Sequence, residues 1–421
     1  MNAKKELKFL IRLVCLGLCL MIPASAEESA EEPTLESGGF RYRLLEDGTA
    51  EILEYTGREL GLVIPEALDG HPVTSIGDEA FYNYKYSLED TVIPASVTHI
   101  GSDAFALTDL EEIEIPAGVV SMGDNPFGYC ESLRTITVAE GNPVFYVEDG
   151  VLFCREDHSL VCFPNLAADP YENEDENEDE DEDEDDYKPV TYTAPAGTEI
   201  IRGDAFGGVE CLSEVLLPDS LRVIGSQAFG FCWGLDRITI PDSITEIGEA
   251  AFDTCKNLGR VVLPAGLQRI PSMLFYQCES LYEADIPETV TEIRSSAFDF
   301  CGTLEQVRIP EGVTVIETAV FEACSSLESV VIPDNVTEIG AFAFGNCSAL
   351  TAVQIPAAVT KIGEYAFSYC SSLKELTVPD SVQSIGEHAF DFGSQDLVIL
   401  CGPDSCAKKY CEQNGIAFRT E

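Results

Sequence analysis

Basic residues are scarce in this chain of 421 residues: 24 lysines and arginines stand against 75 aspartates and glutamates, a formal net charge of −51. A surface of that sign repels phosphate backbones and anionic membranes. Nucleic-acid binding is therefore excluded as a function class. The excess of acids favours solubility, and the functional alternative is attraction of cations or of basic partner surfaces.

Motifs for catalysis and metal binding are also lacking. None of the histidines has the spacing of metal ligands or a serine or cysteine partner signature. They are scattered over turn positions as His71, His99, His158 and His388. No glycine-rich phosphate loop is present, and paired carboxylates discriminate nothing in so acidic a chain. We therefore predict a protein that is not an enzyme and has no catalytic residue, cofactor or metal site.

Long hydrophobic runs are missing, and the N-terminal run Leu13–Ile22 is too short to span a bilayer. Bases precede it and Ala24-Ser25-Ala26 follows it, which is the pattern of a secretory signal peptide. We predict a signal peptide over residues 1–26, cleaved after Ala26, with an uncleaved anchor as the alternative. The mature chain would have no transmembrane segment and would be secreted or held at the cell surface. Its 74 acidic and 20 basic residues give a formal charge of −54.

What the chain does contain is a 23-residue unit, repeated without a slip from about Ser213 to Pro379. The prolines that keep the period are Pro218, Pro241, Pro264, Pro287, Pro310, Pro333, Pro356 and Pro379. The phenylalanines are Phe206, Phe229, Phe252, Phe275, Phe298, Phe321, Phe344, Phe367 and Phe390. The cysteines are Cys232, Cys255, Cys278, Cys301, Cys324, Cys347 and Cys370. A fixed period of roughly 20 to 29 residues indicates a leucine-rich-repeat solenoid, a single array that grows one turn at a time.

Each copy contains the residues for one turn of a coil. Ile238 and Ile240 alternate with polar Arg237 and Thr239, as in a strand with one buried face. Proline then ends the strand because it has no N–H for a neighbouring turn. Glycines such as Gly340 sit where the chain must turn, and the Phe and Cys of the Ala-Phe-x-x-Cys motif fill the coil. Only stacking can complete the burial, because a single turn leaves both faces of its core exposed.

One solenoid is expected over residues 40–418, closed by a cap at each end. Residues 27–39 are acidic, small and polar, which predicts disorder. A hairpin within residues 40–63 would cover the open N-terminal end. Residues 397–418 would cover the other end with a short helix. We predict that Asp404 or Ser405 caps this helix, that Ala407, Tyr410 and Cys411 share one face, and that Asn414-Gly415 ends it.

The period breaks between Phe127 and Phe206. Residues 141–167 alternate like strands joined by turns, which predicts a hairpin insertion. Residues 168–188 include Glu172–Asp186, with 13 acids in 15 residues and no apolar side chain, which predicts a disordered, solvated excursion. This run lacks the spaced ligands and glycine turn of a calcium site, so only weak cation attraction is expected. The insertion would interrupt one solenoid without dividing two domains.

The periodic cysteines lie 23 residues apart, unlike the short pairs of a metal site, so we expect buried free thiols. Cys154 and Cys162 flank a turn with the same strand parity, and they are candidates for a disulfide in an exported protein. One pair could also form among Cys401, Cys406 and Cys411, and the sequence does not decide which.

The unit Ile-Pro-x-x-Val-Thr-x-Ile-Gly-x-x-Ala-Phe-x-x-Cys-x-x-Leu resembles the BspA-like leucine-rich repeat of bacterial surface and secreted proteins, over about Phe40–Phe418. The resemblance implies a right-handed leucine-rich-repeat β/α superhelix of ~23-residue turns, made of short strands and brief helical turns. It also implies adhesion or host-protein binding and no catalytic residues. Gly141–Pro164 is similar to the family's hairpin insertion and Gly402–Phe418 to its terminal cap. The asparagine ladder of the wider leucine-rich pattern is missing, and we expect no anchoring domain of the kind that typical surface members carry.

We expect a non-catalytic binding module whose exposed strand column holds a protein ligand, either a host extracellular protein or a bacterial surface protein. The candidate partner-binding residues are Arg237, Thr239, Arg260, Val262, Glu283, Asp285, Gln306, Arg308, Ser329, Val331, Gln354, Glu375 and Thr377. One alternative is a structural envelope or matrix component held by cations through the acidic segment. Another is a non-catalytic subunit attached to an enzyme.

Overall fold

The computed structural model describes residues 34–58, 62–84, 88, 91–165 and 189–420. The described residues from Glu36 onward form one compact unit, a β-solenoid of about 15 turns spaced by about 23 residues. The predicted repeat solenoid is therefore confirmed. The predicted signal peptide, its cleavage site, residues 27–33 and the acidic segment 168–188 lie outside the described residues. Leu35–Ser37, within the segment 27–39 predicted to be disordered, form a strand that pairs with Phe40–Leu44, so the prediction is wrong for these residues.

The strands are short and numerous. Those of the N-terminal half are β1 (Leu35–Ser37), β2 (Phe40–Leu44), β3 (Ala50–Tyr55), β4 (Ala67–Leu68), β5 (His71–Ile76), β6 (His99–Ile100), β7 (Glu112–Ile115), β8 (Ser121–Met122) and β9 (Thr135–Val138). The inserted hairpin contains β10 (Phe145–Glu148), β11 (Val151–Cys154) and β12 (Ser159–Cys162).

The C-terminal half begins with β13 (Val190–Thr193), β14 (Ile200–Ile201), β15 (Leu212–Leu216), β16 (Val223–Ile224), β17 (Arg237–Thr239), β18 (Glu246–Ile247), β19 (Arg260–Val262), β20 (Arg269–Ile270), β21 (Glu283–Asp285) and β22 (Glu292–Ile293). It continues with β23 (Gln306–Arg308), β24 (Val315–Ile316), β25 (Ser329–Val331), β26 (Glu338–Ile339), β27 (Ala352–Gln354), β28 (Lys361–Ile362), β29 (Glu375–Thr377) and β30 (Ser384–Ile385). The last elements are β31 (Val398–Cys401), helix α1 (Cys406–Asn414) and β32 (Ala417–Thr420).

Two columns of strands follow from the repeat. Each regular turn has one strand before its proline and a two-residue strand after it, as β17 and β18 flank Pro241. Strands of one column pair in parallel with an offset of one repeat, so that Glu214 lies opposite Arg237 and Glu338 opposite Lys361. The hairpins β2–β3 and β10–β11–β12 pair antiparallel.

The periodic phenylalanines occupy the centre of the coil, as predicted. Phe229, Phe252, Phe275, Phe298, Phe321 and Phe344 are completely buried. From Phe206 to Phe390, the rings of successive turns stack at centroid distances between 4.8 and 6.0 Å. This column gives each turn a large apolar contact with both of its neighbours.

The periodic cysteines are buried, and the described cysteines form no disulfide with one another. Each periodic thiol also donates a hydrogen bond to a phenylalanine carbonyl 26 residues earlier, such as Cys255 Sγ to Phe229 O at 3.1 Å. Burial raises the pKa of Cys301 well above its usual value, so this thiol keeps its proton. The cysteine column therefore supplies hydrogen-bond donors as well as filling space in the core.

The stretch that follows the second strand and contains the core phenylalanine is a run of turns, where brief helical turns were expected. Two residues in each turn adopt a left-handed backbone, for example Ala319 at φ 55° and Ala323 at φ 54°. Their N–H groups donate to the next turn of the solenoid, at Ala341 O and Gly345 O. Donation between turns replaces the hydrogen bonds that a helix would form within itself.

The periodic glycines lie between the second strand and the run of turns, where the chain was expected to turn, but their backbone conformation is not what requires them. Gly340 and Gly363 do not adopt a left-handed backbone. A Cβ atom at Gly340 would lie 2.6 Å from the carbonyl carbon of Glu317, and one at Gly363 would lie 2.4 Å from Ala341 N. Glycine is favoured there because adjacent turns approach too closely for a side chain.

The hairpin β10–β12 separates two hydrophobic cores. Both β11 and β12 are buried along their whole length. Leu152 and Val161 pack into the core of the N-terminal half, whereas Val151, Phe153 and Leu160 pack into the core of the C-terminal half. β12 also pairs in parallel with β14, which continues the ladder. The insertion is thus a partition inside the coil.

Polar side chains join the two halves beside this partition. The Tyr129 hydroxyl lies 3.0 Å from Asp204 Oδ1 and 3.1 Å from Gln227 Oε1. Arg202 Nη1 donates to Met122 O at 3.0 Å, and its Nη2 lies 2.8 Å from Asp157 Oδ2. These contacts connect residues far apart in sequence.

Helix α1 covers the C-terminal end of the coil. Ser405 is its N-cap and accepts a hydrogen bond from Lys408 N, and Gly415 is its left-handed C-cap. Ala407, Tyr410 and Cys411 are buried, which confirms the predicted face. The Tyr410 hydroxyl accepts a hydrogen bond from Ala389 N at 3.0 Å. No helix in the described ranges is long and apolar enough to cross a membrane.

Candidate binding surface on the strand face

The strands before the prolines present one exposed surface, here called the strand face. In β17, β19, β23, β25 and β29 the middle residue is buried and its two neighbours are exposed. This is the alternation that a half-buried strand requires. All thirteen residues proposed for partner binding lie on the strand face; Glu283 is half-buried and the other twelve are exposed.

Strand register brings some of these residues together and keeps others apart. Arg260 lies opposite Glu283 and Val262 opposite Asp285, because β19 pairs with β21. β17 belongs to a different sheet, in which Arg237 lies opposite Glu214. The two arginines therefore occupy separate sheets along the strand face.

Arg260 is held by two carboxylates. Its Nε lies 3.1 Å from Glu283 Oε2, and its Nη2 lies 2.8 Å from Asp285 Oδ2. The hydrogen bond to Asp285, followed by the charge of Glu283, raises the pKa of Arg260. The side chains are about half exposed, so the interaction orients the guanidinium more than it stabilises the fold.

A groove opens where the pairing of this column stops between β21 and β23, which belong to separate sheets. Its volume is about 570 Å³. The lining residues are Tyr282, Glu283, Ala284, Asp285, Ile286, Glu288, Glu305, Gln306, Val307 and Arg308. Arg308 reaches across it, with Nη2 at 2.8 Å from Glu288 Oε1. A groove of this size accommodates one or two side chains of a partner.

Tyr282, Glu288 and Glu305 line the groove and were not predicted. They lie just outside the three-residue strands, so the alternation that singled out the other residues does not include them. Tyr282 stands where neighbouring repeats have Gly259 and Glu305. Comparison of that column between repeats would have identified this unusual aromatic side chain.

The candidate disulfide stays a prediction. Cys154 and Cys162 are both buried thiols. In the ladder of β11 and β12, Cys154 lies opposite Ser159 and Cys162 opposite Leu152, so the two cysteines do not face each other directly. Across the described ranges, no group of three or more histidine, cysteine, aspartate or glutamate side chains could hold a metal ion.

Comparisons with known proteins agree with the repeat pattern. The family model described as the BspA type leucine-rich repeat region matches in six copies, over residues 71–165, 190–305 and 291–408. No curated protein sequence matches the chain.

Several solved structures are similar to the chain. A leucine-rich repeat protein from Bacteroides ovatus is 22% identical over 92% of this chain and 99% of its own, with a TM-score of 0.45. A leucine rich cell surface protein from Faecalibacterium prausnitzii is 23% identical over the same shares, with a TM-score of 0.37. A leucine-rich repeat protein from Eubacterium ventriosum is 19% identical over 85% of this chain and 94% of its own, with a TM-score of 0.44.

Proposed function

The chain belongs to the BspA-type leucine-rich repeat family, and on that premise we propose that it is a non-catalytic protein of the cell surface or exterior that binds another protein through its strand face. The groove between β21 and β23 carries the proposal. It lies within the column of predicted residues and is lined by four of them, Glu283, Asp285, Gln306 and Arg308.

The groove and its surroundings have the composition of a protein-binding surface. Tyr282 is 51% exposed at the groove, and tyrosine is among the residue types that most often dominate binding energy at interfaces. Val262 and Val331 are 53% and 75% exposed on neighbouring strands. An extended partner could contact all three side chains along the strand face.

Charge favours a partner with basic side chains. Glu283, Asp285, Glu288 and Glu305 line the groove, and Arg308 is the one base among its lining residues. Complementary charge speeds association and selects against acidic partners. A host extracellular protein or a bacterial surface protein that presents lysine or arginine in an extended segment would fit.

The test begins with capture by the mature protein of partners from host extracellular proteins and from bacterial surface extracts. The affinity of the captured partner is then measured for Tyr282→Ala and for a matched control, Phe300→Ala. Phe300 is 43% exposed but lies in a turn column, outside the strands. We expect about tenfold weaker binding for Tyr282→Ala only.

A second variant tests the wider strand face. Replacing Val262 and Val331 together with alanine should also weaken binding if the partner extends along several strands, because both side chains are exposed on the strand face. Unchanged affinity in both this variant and Tyr282→Ala would place the binding surface elsewhere on the molecule.

A further inference from the structure

Five rings form a second surface, here called the aromatic surface, in the turn segments of the last three regular repeats; Tyr369 and Phe392 are exposed, and the other three rings are half-buried. Phe342, Tyr365 and His388 form one column, with ring centroids 4.9 Å apart at each step. Tyr369 and Phe392 stack at 5.0 Å in a second column, four residues further along each turn. All five residues adopt the left-handed backbone described above.

The fold does not require these rings. The first column is occupied in earlier turns by Ala250, Ser296 and Ala319, and the second by Thr254 and Ala323, all with the same left-handed backbone. A bulky side chain in this conformation is unfavourable compared with glycine. Alanine, serine and threonine adopt the same backbone in other turns, so the turns form without rings at these positions.

Two of the rings are open to solvent. Tyr369 is 47% exposed and Phe392 is 63% exposed. Phe392 is the last ring of its column, so only one of its faces is stacked against another ring of that column. Its second face is available for a planar or cationic group.

The surrounding charges are negative. Glu364 and Glu387 are exposed immediately before Tyr365 and His388, and neither forms an ion pair with any base in the described ranges. Asp391 is already paired with His388, at 2.6 Å between Oδ2 and Nδ1. A second copy of this chain would bring two strongly acidic surfaces together, which electrostatic repulsion opposes.

We propose that the aromatic surface binds a basic segment of a partner protein. Arginine or lysine side chains lay their aliphatic stems along the rings and bring their charged ends to Glu364 and Glu387. This surface lies in the turn columns and not on the strands, so it gives the protein a binding site independent of the strand face.

The experiment uses a fluorescently labelled octa-arginine peptide and the mature protein at physiological salt. Tyr369→Ala/Phe392→Ala removes the two most exposed rings without changing the charge. The matched control is Val120→Ala/Val315→Ala, which removes two exposed apolar side chains that lie on neither the strand face nor the aromatic surface, also without changing the charge. Fluorescence anisotropy gives the dissociation constants.

We expect about tenfold weaker binding of the peptide to the ring variant and unchanged binding to the control. Glu364→Gln/Glu387→Gln should also weaken it. The ring variant should fold, since Ala323 already occupies the position of Tyr369 in another turn, and its melting temperature checks this.

Equal affinity for wild type, ring variant and control would overturn the proposal, because binding would then reflect only the overall acidity of the chain. A neutral polysaccharide that binds the wild type but not the ring variant, while the peptide binds both equally, would also overturn it and assign the rings to carbohydrate.

Discussion

Replacing Asp299 with asparagine should make the protein more stable near pH 8 and leave its stability almost unchanged near pH 4. Asp299 follows the core residue Phe298 and is 5% exposed. Its Oδ1 has no hydrogen-bond partner among the described residues. Burial, followed by the nearby charge of Glu322, raises the pKa of Asp299 from 3.8 to about 8.

The direction of the pH effect follows from the coupling between proton binding by Asp299 and folding. The folded state keeps the proton of Asp299 at pH values where the unfolded state has lost it. The stabilisation from this raised pKa is complete below about pH 4 and is lost as the pH rises through about 8. Asparagine has no charge at any of these pH values, so the variant does not undergo this loss.

The size of the effect follows from the shift. About four pH units at about 1.4 kcal/mol each set an upper limit of about 6 kcal/mol. Local relaxation around the charge lowers this to the order of 2–3 kcal/mol. At this chain length each kcal/mol changes the melting temperature by roughly 1 °C, so we expect a gain of roughly 3 °C at pH 8.

The assay is thermal unfolding of wild type and Asp299→Asn, followed by circular dichroism between pH 4 and pH 8.5. The quantity that matters is the difference in melting temperature, since other carboxylates affect both proteins alike. A difference that does not change with pH would refute the argument, because it would mean that Asp299 ionises normally in the folded state.

Phe298→Ala should lower the free energy of unfolding by ~3–5 kcal/mol by opening a cavity in the stacked column, and an unchanged melting temperature would contradict this packing. Cys301→Ala should leave the Phe275 carbonyl without its thiol donor at 3.2 Å and cost ~1–3 kcal/mol, whereas Cys301→Ser keeps a donor and should cost less. Equal losses for the two variants in urea unfolding would show that the hydrogen bond is irrelevant. Tyr129→Phe removes the hydroxyl that joins the two halves and should lower the free energy of unfolding by about 1–2 kcal/mol. Urea unfolding followed by Trp233 fluorescence measures this loss, and an unchanged free energy would mean that packing alone holds the two halves together.

The columns could be predicted because the sequence repeats them without a slip. A phenylalanine such as Phe298 recurs at one position in every turn, so its burial follows from the need to stack turns. The same holds for strand residues such as Ile238, which alternate with polar neighbours. These features depend on residue type alone.

Other features depend on backbone geometry and were missed. Alanines such as Ala319 adopt a left-handed backbone that glycine usually takes, because hydrogen bonds to the next turn hold them there. Gly340 is required by the closeness of two turns and not by its own conformation. The partition formed by β11 and β12 was missed because the repeat is interrupted there.

The candidate site was predicted in outline. The alternation of each strand identified the exposed residues, such as Arg260 and Arg308. The groove between β21 and β23 could not be predicted, because the 23-residue repeat continues unchanged across the point where parallel pairing stops. Tyr282 was missed because it lies one position outside the strand.

The internal partition has a consequence for how this protein can change over evolutionary time. Each half of the solenoid ends on its own cap at one side and on the hairpin at the other. Duplication or deletion of one 23-residue unit in the C-terminal half would lengthen or shorten the strand face by one strand spacing, about 4.8 Å. The hairpin, Tyr129 and helix α1 would keep their neighbours. Duplication of single repeats can thus change the length of the strand face that contacts a partner, while both ends of this half of the solenoid stay the same.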